Sequence, residues 1–434
     1  MKNNYCFIIT FVAATAMFSA TSSSKFFEYR QISDNRLSTT NVLEPTVVTG
    51  TLLPEIEVTK LDGVERSSVG LLPPTVTGFP NSLWKESQAD DLVRLLRTVG
   101  SPSSPAVQKL LFQMLLAEAE APISTEKKEE FLSERISILI DAGAIDPAIA
   151  LLERASPLPP QLVPKLFEAS LLSNQYDPAC EQVLNLGANY QNDAGRIYCH
   201  ALTGDWLTAS LIYNTAKALN SIENSTLDIL GEFLEIEEPS GRNIPKNKKD
   251  LKPLDFRLYE TLGYPLFREN LGNAFLFGDL SGDNGWYAQI KAAERLAKDG
   301  VIDSNRFLGI FTAYEAPSSD GIWEKVNAVQ SLDKAISRQT GTKELETVLA
   351  NAWQLFQYDS NSSIFAEIFT PKLFKIKLSP KSEVLAIKIG MLSSSYDVIT
   401  SKPVAIRTLD PIVFAFTNPE TRYVKPKTIL EKTL

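Results

Sequence analysis

The chain has 434 residues, of which 44% are hydrophobic and 22% charged, and its formal net charge at pH 7 is −9. This length allows about two or three ordinary domains or one extended array, and the composition is that of a folded protein. The negative charge argues against nucleic acid as the main partner, because phosphate binding requires a basic surface.

Residues 1–22 have the pattern of a signal peptide. Lys2 gives a positive start, residues 7–14 are apolar, and small residues at 14–16 and 20–22 offer two cleavage sites. The apolar run is shorter than the ~20 residues that a membrane span requires. The alternatives are an uncleaved apolar leader and a buried first helix. The pattern predicts a chain that is exported to the periplasm or secreted and does not span a membrane.

Residues 23–83 form a different kind of segment, rich in Ser, Thr, Val and Pro. Prolines interrupt its short extended pieces, and no helical period is visible. A segment of this composition has too few apolar groups in a regular pattern to build a core. We therefore predict a largely disordered linker over 23–83.

From residue 84 to 238 the chain repeats a pattern that is typical of short paired helices. An acidic or hydroxyl residue followed by proline opens each run, and glycine closes it. The openings are Ser104 with Pro105, Asp146 with Pro147 and Asp177 with Pro178, and the closing glycines are Gly143, Gly187 and Gly204. Proline suits the first helical turn, an acid or hydroxyl side chain caps free N–H groups, and glycine permits the left-handed turn that ends a helix.

The spacing of these units predicts the fold class. Apolar residues recur at i, i+3, i+4 and i+7 within the runs. The acids that open successive units, Asp146, Asp177 and Asp205, recur at an interval that suits a two-helix repeat. Such repeats stack so that neighbours bury each other's apolar faces. The predicted fold is all-α, an α-solenoid of stacked helix pairs preceded by the disordered linker.

The second half continues this pattern after an interruption. Residues 239–253 form a predicted lysine-rich loop, and helical periodicity resumes over 254–395. Residues 396–434 lose the period, contain four prolines and are basic. This aperiodic tail is either solvated surface or a contact for an anionic partner.

Cys180 and Cys199 are the two cysteines that remain after the predicted cleavage. Cys180 lies early in one predicted helix and Cys199 lies late in the next, so antiparallel packing of the two helices would bring the thiols together. In an oxidising compartment an isolated pair of this kind predicts a disulfide. Two buried free thiols are the alternative.

Three segments carry a resemblance to a known family: residues 285–297 (GWYAQIKAAERLA), 305–309 (NRFLG) and 317–323 (PSSDGIW). They resemble an uncharacterised family of exported bacterial helical proteins, some of which carry an antifreeze label, and the likeness covers roughly residues 86–392. Membership implies a periplasmic all-helical fold and supplies no catalytic residues. Ice binding would need a flat array of threonines, whereas the threonines here are scattered. The unit around residues 195–213 also resembles the tetratricopeptide and superhelical-repeat class.

The chain offers few groups for catalysis. His200 is the single histidine and lies in a predicted helix beside Cys199. The chain contains no Gly-x-Ser-x-Gly motif, which would supply a serine nucleophile for a histidine base. A core or groove-lining histidine is therefore the favoured interpretation. Residues 279–285 depart from a calcium loop, because Asn284 stands where that loop requires glycine. We predict no catalytic, cofactor-binding or metal-binding residue.

The candidate partner surface consists of aromatic and charged residues near the predicted repeat edges. Its members are Tyr198, His200, Trp206, Tyr213, Trp286 and Trp323. The alternative is that most of them belong to the core. The leading hypothesis is an exported, periplasmic, non-catalytic helical-repeat scaffold that binds a protein or cell-envelope partner on a concave surface. A glycan-directed cell-wall enzyme or accessory factor, related to superhelical lytic transglycosylases but without their catalytic domain, and a structural spacer are the other hypotheses.

Overall fold

The computed structural model describes residues 66–99, 105–123, 129–237, 251–338 and 341–401, all within one unit that runs from Leu61 to Leu434. In these ranges the protein is all-helical, which confirms the predicted class. The α-helices are α1 (Pro74–Thr77), α2 (Ala89–Val99), α3 (Pro105–Leu116), α4 (Glu130–Ala142), α5 (Ile145–Arg154), α6 (Val163–Ser173), α7 (Asp177–Leu186), α8 (Asp193–Leu202), α9 (Trp206–Leu219), α10 (Asn224–Phe233), α11 (Pro253–Thr261), α12 (Asn273–Leu276), α13 (Trp286–Lys298), α14 (Ser304–Phe311), α15 (Ile322–Ser337), α16 (Thr342–Phe356), α17 (Ser362–Leu373), α18 (Pro380–Gly390) and α19 (Tyr396–Thr400). Among the described helices, none combines the length and the apolar character that crossing a bilayer requires.

Glycine ends the predicted runs as expected. Gly143, Gly187 and Gly204 all have positive φ, a region that residues with a Cβ rarely adopt. Gly143 also permits a close helix contact, because a Cβ at that position would lie 2.9 Å from Cδ2 of Leu296 on α13. The glycine therefore both stops α4 and lets the end of that helix approach α13.

The predicted acidic caps are confirmed at one of three positions. The Asp205 side chain accepts a hydrogen bond from the Thr208 N–H at 3.2 Å and caps α9. Asp146 and Asp177 are not caps, because α5 begins one residue before Asp146 and α7 begins at Asp177 itself. Asp146 instead accepts a hydrogen bond from Arg306, 2.9 Å away, on α14.

Helices contact their neighbours in the chain and also helices far from them. Each of the consecutive pairs from α4 to α9 is in contact, as stacked helix pairs require. However, α4 also contacts α12, α6 contacts α11, and α14 contacts α17. Because these contacts join non-consecutive helices, the solenoid arrangement stays a prediction.

One hydrophobic core runs through both predicted helical segments, 84–238 and 254–395. The buried Arg257 on α11 illustrates the connection, because its Nε donates a hydrogen bond to the main-chain carbonyl of Leu171 on α6 at 3.0 Å. The two segments therefore share one interior within the described part of the chain.

The end of the predicted linker is ordered, which corrects the prediction for residues 66–83. This stretch contains a 3-10 helix, Arg66–Ser68, and α1, and Val69 is only 7% exposed. The physical reason is a distant polar contact, since the buried Arg135 side chain donates a hydrogen bond to the Val69 carbonyl at 2.9 Å. Residues 1–65, which include the predicted signal peptide, lie outside the described residues.

The start of the predicted aperiodic tail is also helical. Residues 396–400 form α19, and Ile399 packs against Ile387 of α18 with 2% of its surface exposed. Apolar packing of this kind anchors a turn too short to show a period, and Phe374 and Met391 also pack against this pair. Residues 402–434, and residues 239–250 of the predicted lysine-rich loop, lie outside the described residues.

Candidate functional site

The predicted disulfide is confirmed. Cys180 on α7 and Cys199 on α8 are joined with an S–S distance of 2.07 Å and a Cα–Cα distance of 5.1 Å. Both residues are buried, at 3% and 0% exposure, so the bond lies in the core between neighbouring helices. The bond cross-links α7 and α8 within the core.

Two members of the predicted partner surface are core residues instead. Tyr198 is 1% exposed, and its ring packs against those of Phe167 and Phe233. Burial raises the pKa of the Tyr198 hydroxyl. Tyr213 is fully buried, and its hydroxyl donates a hydrogen bond to Glu237 at 2.9 Å. Helical spacing does not distinguish an aromatic ring that points into the core from one that points to solvent. For Tyr198 and Tyr213 the packing of the neighbouring helices places the rings in the core.

His200 and Trp206 lie nearer to solvent than Tyr198 and Tyr213. The His200 Nδ1 lies 3.2 Å from a carboxylate oxygen of Asp205, and its side chain is 22% exposed. The neighbouring Cys199 is held in the disulfide and therefore supplies no thiolate for a Cys/His pair. Trp206 is 48% exposed, with its ring 6.1 Å from that of Phe233.

Trp286 and Trp323 belong to a contiguous group of four rings, which we call the aromatic surface: Trp286, Tyr287, Tyr314 and Trp323. The ring of Trp286 lies 5.0 Å from that of Trp323 and 5.4 Å from that of Tyr314. The ring of Tyr287 lies 6.1 Å from that of Trp323. The two tryptophans are half-buried, whereas Tyr287 is 54% and Tyr314 is 64% exposed. The tryptophans thus form a base that supports two outward tyrosines.

Hydrogen bonds to the main chain hold the aromatic surface in place. The Trp286 Nε1–H donates to the Ile310 carbonyl at 2.8 Å and joins the start of α13 to the end of α14. The buried Gln330 amide on α15 donates to the carbonyls of Phe311 at 2.8 Å and Tyr314 at 2.7 Å. These donors are satisfied within the protein, so they hold the Trp286 ring and the main chain at Tyr314 in place.

Exposed carboxylates accompany the aromatic surface along the chain. Glu315 directly follows Tyr314, Glu324 directly follows Trp323, and Asp320 lies shortly before Trp323. All three acids are exposed.

Sequence patterns identified only the two tryptophans of the aromatic surface. Tyr287 and Tyr314 were missed, although Tyr287 adjoins Trp286 and Tyr314 directly precedes the loop that contains Pro317. An aromatic residue beside another, or at the start of a loop, is the signal that would have found them. Which rings would meet depended on the packing of α13, α14 and α15.

Comparison of the chain with protein-family models, with curated proteins and with solved structures gives no significant match. Within the described residues, no group of three or more His, Cys, Asp or Glu side chains is arranged to hold a metal ion.

Proposed function

We propose that the protein is an exported, non-catalytic helical scaffold that binds a protein or cell-envelope partner through the aromatic surface. The observation that carries the proposal is the exposure of Tyr287 and Tyr314 on a fixed base of two tryptophans. Contiguous exposed aromatic rings are characteristic of interaction sites, because each ring buries a large area while losing few rotamers.

Exposed acidic residues next to the rings in the chain favour a basic partner. Glu315, Asp320 and Glu324 are exposed beside the rings in the chain. A lysine or arginine side chain of a partner would interact with both the ring faces and these carboxylates. Of the two kinds of partner, we therefore propose a protein, with a segment that presents basic residues to the aromatic surface.

Export to the periplasm or the cell exterior remains part of the proposal. It is supported by the disulfide of Cys180 and Cys199, because such bonds persist mainly in oxidising compartments. The predicted signal peptide over residues 1–22 and the resemblance to exported helical proteins favour the same compartment.

Site-specific photocrosslinking tests the partner surface. A photoreactive phenylalanine analogue replaces Tyr314 in the full chain, produced in cells with an intact envelope. The matched control places the analogue at Tyr358, which is 94% exposed but outside the aromatic surface. We expect a discrete adduct from position 314 that is lost when Tyr287→Ser is added, and no such adduct from position 358.

Two outcomes would replace this proposal. Equal adducts from both positions, or none from position 314, would remove the aromatic surface as a partner site and leave a structural spacer. Release of soluble fragments from isolated cell wall by the purified full chain would instead establish the glycan-directed enzyme.

A further inference from the structure

A cavity of about 440 Å³ lies where the starts of α8, α10 and α11 meet one side of α6. Phe167 and Leu171 line it from α6, and Tyr190 lines it from the segment before α8. Its volume lies within the range of small-molecule sites. The cavity shares no residue with the aromatic surface, so the inference below is independent of the proposed function.

Three buried polar atoms in the cavity wall have no hydrogen-bond partner among the described residues. They are the Tyr190 hydroxyl, the Thr226 hydroxyl and Oδ1 of Asp255. The three residues are 3%, 4% and 6% exposed, and all line the cavity. A buried polar atom without a hydrogen bond is energetically unfavourable. A ligand that formed hydrogen bonds with all three atoms would remove this cost.

Asp255 differs from the other carboxylates in the wall because it has no ion-pair partner among the described residues. The others are paired: Glu168 with Lys165 at 2.9 Å, Asp193 with Arg196 at 3.0 Å, and Glu223 with Lys252 at 2.6 Å. Burial raises the pKa of Asp255, although the nearby Thr226 hydroxyl lowers it in part.

The unpaired carboxylate of Asp255 favours a cation over an anion. The starts of three helices carry roughly half a positive charge each, which by itself favours anions. Lys165, Arg196 and Lys252 neutralise the other three lining carboxylates, so Asp255 carries the charge in the wall that no described cation balances. A cation beside Asp255 would neutralise this buried charge, whereas an anion there would meet a like charge.

The shape of the wall favours an organic cation over a metal ion. The described carboxylates form no group of three or more that could hold a metal. The rings of Phe167 and Tyr190 pack edge to face, 6.4 Å apart, and both line the cavity. Aromatic rings attract ammonium groups and pack against the carbon atoms that such a ligand carries.

We propose that this cavity binds a small hydroxylated organic ammonium ion. Its ammonium group donates to Oδ1 of Asp255, and its hydroxyl groups bond to the hydroxyls of Tyr190 and Thr226. The carbon skeleton packs against the ring of Phe167. Each of the three polar atoms thereby gains a partner, and the carboxylate of Asp255, which has no ion pair within the described part of the chain, gains a counter-ion.

Calorimetric titration of the purified full chain tests the proposal, with glucosamine as the probe. Glucose is the matched neutral control because it has the same ring with a hydroxyl in place of the amine, and inorganic phosphate is the anionic control. We expect measurable glucosamine binding, with glucose and phosphate at least tenfold weaker. The reason is that a hydrogen bond between an ammonium group and a carboxylate is stronger than one from a neutral hydroxyl.

Two variants assign the binding to the cavity. Asp255→Asn keeps the shape of the side chain and removes its charge, and we expect it to weaken glucosamine binding at least tenfold. Asp397→Asn makes the same charge change at an exposed position on α19 and should bind like the unaltered chain. Absence of glucosamine binding, an unchanged affinity in Asp255→Asn, or a preference for phosphate would overturn the proposal.

Discussion

The Nη1 atom of Arg135 lies 2.9 Å from the main-chain carbonyl oxygen of Val69, which lies far before it in the chain. The guanidinium is fully buried and also donates to the carbonyls of Leu115 at 2.8 Å and Ala117 at 3.2 Å. Burial lowers the pKa of Arg135 to about 10, so the side chain stays charged at neutral pH. Main-chain carbonyls surround this charge, and together they attach the segment before α1 to α4.

Replacing Arg135 with methionine should destabilise the protein strongly. Methionine fills much of the space but leaves the carbonyls of Val69, Leu115 and Ala117 without their donor in a buried site. We expect a loss of about 3 kcal/mol in the free energy of unfolding, measured by urea denaturation. Hydrogen exchange should become faster at the amides of Leu71 and Leu72, which donate to Leu116.

The control for this prediction is Arg135→Lys, which keeps the charge but has fewer donors in a different geometry. We expect the stability of Arg135→Lys to lie between that of the unaltered protein and that of Arg135→Met. A methionine variant that unfolds at the same urea concentration as the unaltered protein would show that the carbonyl cluster does not need the guanidinium.

Reduction of the disulfide should lower the free energy of unfolding. The bond joins Cys180 and Cys199, which are 19 residues apart in the chain. Closing a loop of this length restricts the unfolded chain by about 3 kcal/mol, and we expect a loss of that size. Urea denaturation of the Cys180→Ser/Cys199→Ser variant measures the effect. Reductant should then have no further effect on the variant, whereas unchanged stability of the variant would contradict the prediction.

The Asp255→Asn variant should be more stable than the unaltered protein at pH 7. Burial raises the pKa of Asp255 in the folded state, with Thr226 and Lys252 opposing this and Glu223 adding to it. A group whose pKa is raised in the folded state stabilises the fold at pH values below its ordinary pKa. This stabilisation is lost as the pH rises through the folded-state pKa. The charged form is therefore the unfavourable one at pH 7, and removing the charge should add about 1 kcal/mol.

Urea denaturation at two pH values tests whether Asp255→Asn raises the free energy of unfolding. The advantage of Asp255→Asn should be present at pH 7 and absent near pH 3, where the carboxyl is protonated in both states. An asparagine variant that is less stable at pH 7 would mean that the carboxylate is satisfied in the free protein. The increased stability also ensures that loss of ligand by this variant is not loss of folding.

Replacing Lys325 with methionine should destabilise the protein at pH 7. Lys325 on α15 bridges Glu294 at 3.1 Å and Asp359 at 2.5 Å, and all three side chains are mostly buried. Burial alone would raise the pKa of Asp359, but the hydrogen bonds from Lys325 and Asn361 lower it on balance. Removing the lysine leaves two carboxylates without their cation, and we expect the free energy of unfolding to fall by about 2 kcal/mol in urea denaturation.

The pH dependence of the Lys325→Met effect provides a check. A group whose pKa is lowered in the folded state stabilises the fold at pH values above its ordinary pKa, and this stabilisation is lost as the pH falls. The loss of stability caused by Lys325→Met should therefore become smaller toward pH 3. The matched control is Arg306→Met, which breaks the Arg306–Asp146 pair. Those side chains are 36% and 60% exposed, so solvent screens the pair and we expect almost no change in stability. Equal losses in both variants would contradict the argument from burial.

The candidate site could be predicted in part. Trp286 and Trp323 stood out in the sequence as large aromatic residues in distinctive segments, and they do form the base of the aromatic surface. Tyr198 and Tyr213 carried the same signal and are buried. A helical period shows that two residues share a face, but it does not show whether another helix covers that face.

By itself the sequence determined what depends on nearby residues. Glycine at 143 ends a helix, Asp205 caps one, and Cys180 reaches Cys199 across one interhelical turn, because each interaction joins positions close in the chain. Only the tertiary structure decided the contact of Arg135 with Val69 and the meeting of Tyr190, Thr226 and Asp255 around one cavity. Those groups are polar, solitary and far apart in the chain, so no periodicity marks them, and helix packing alone brings them together.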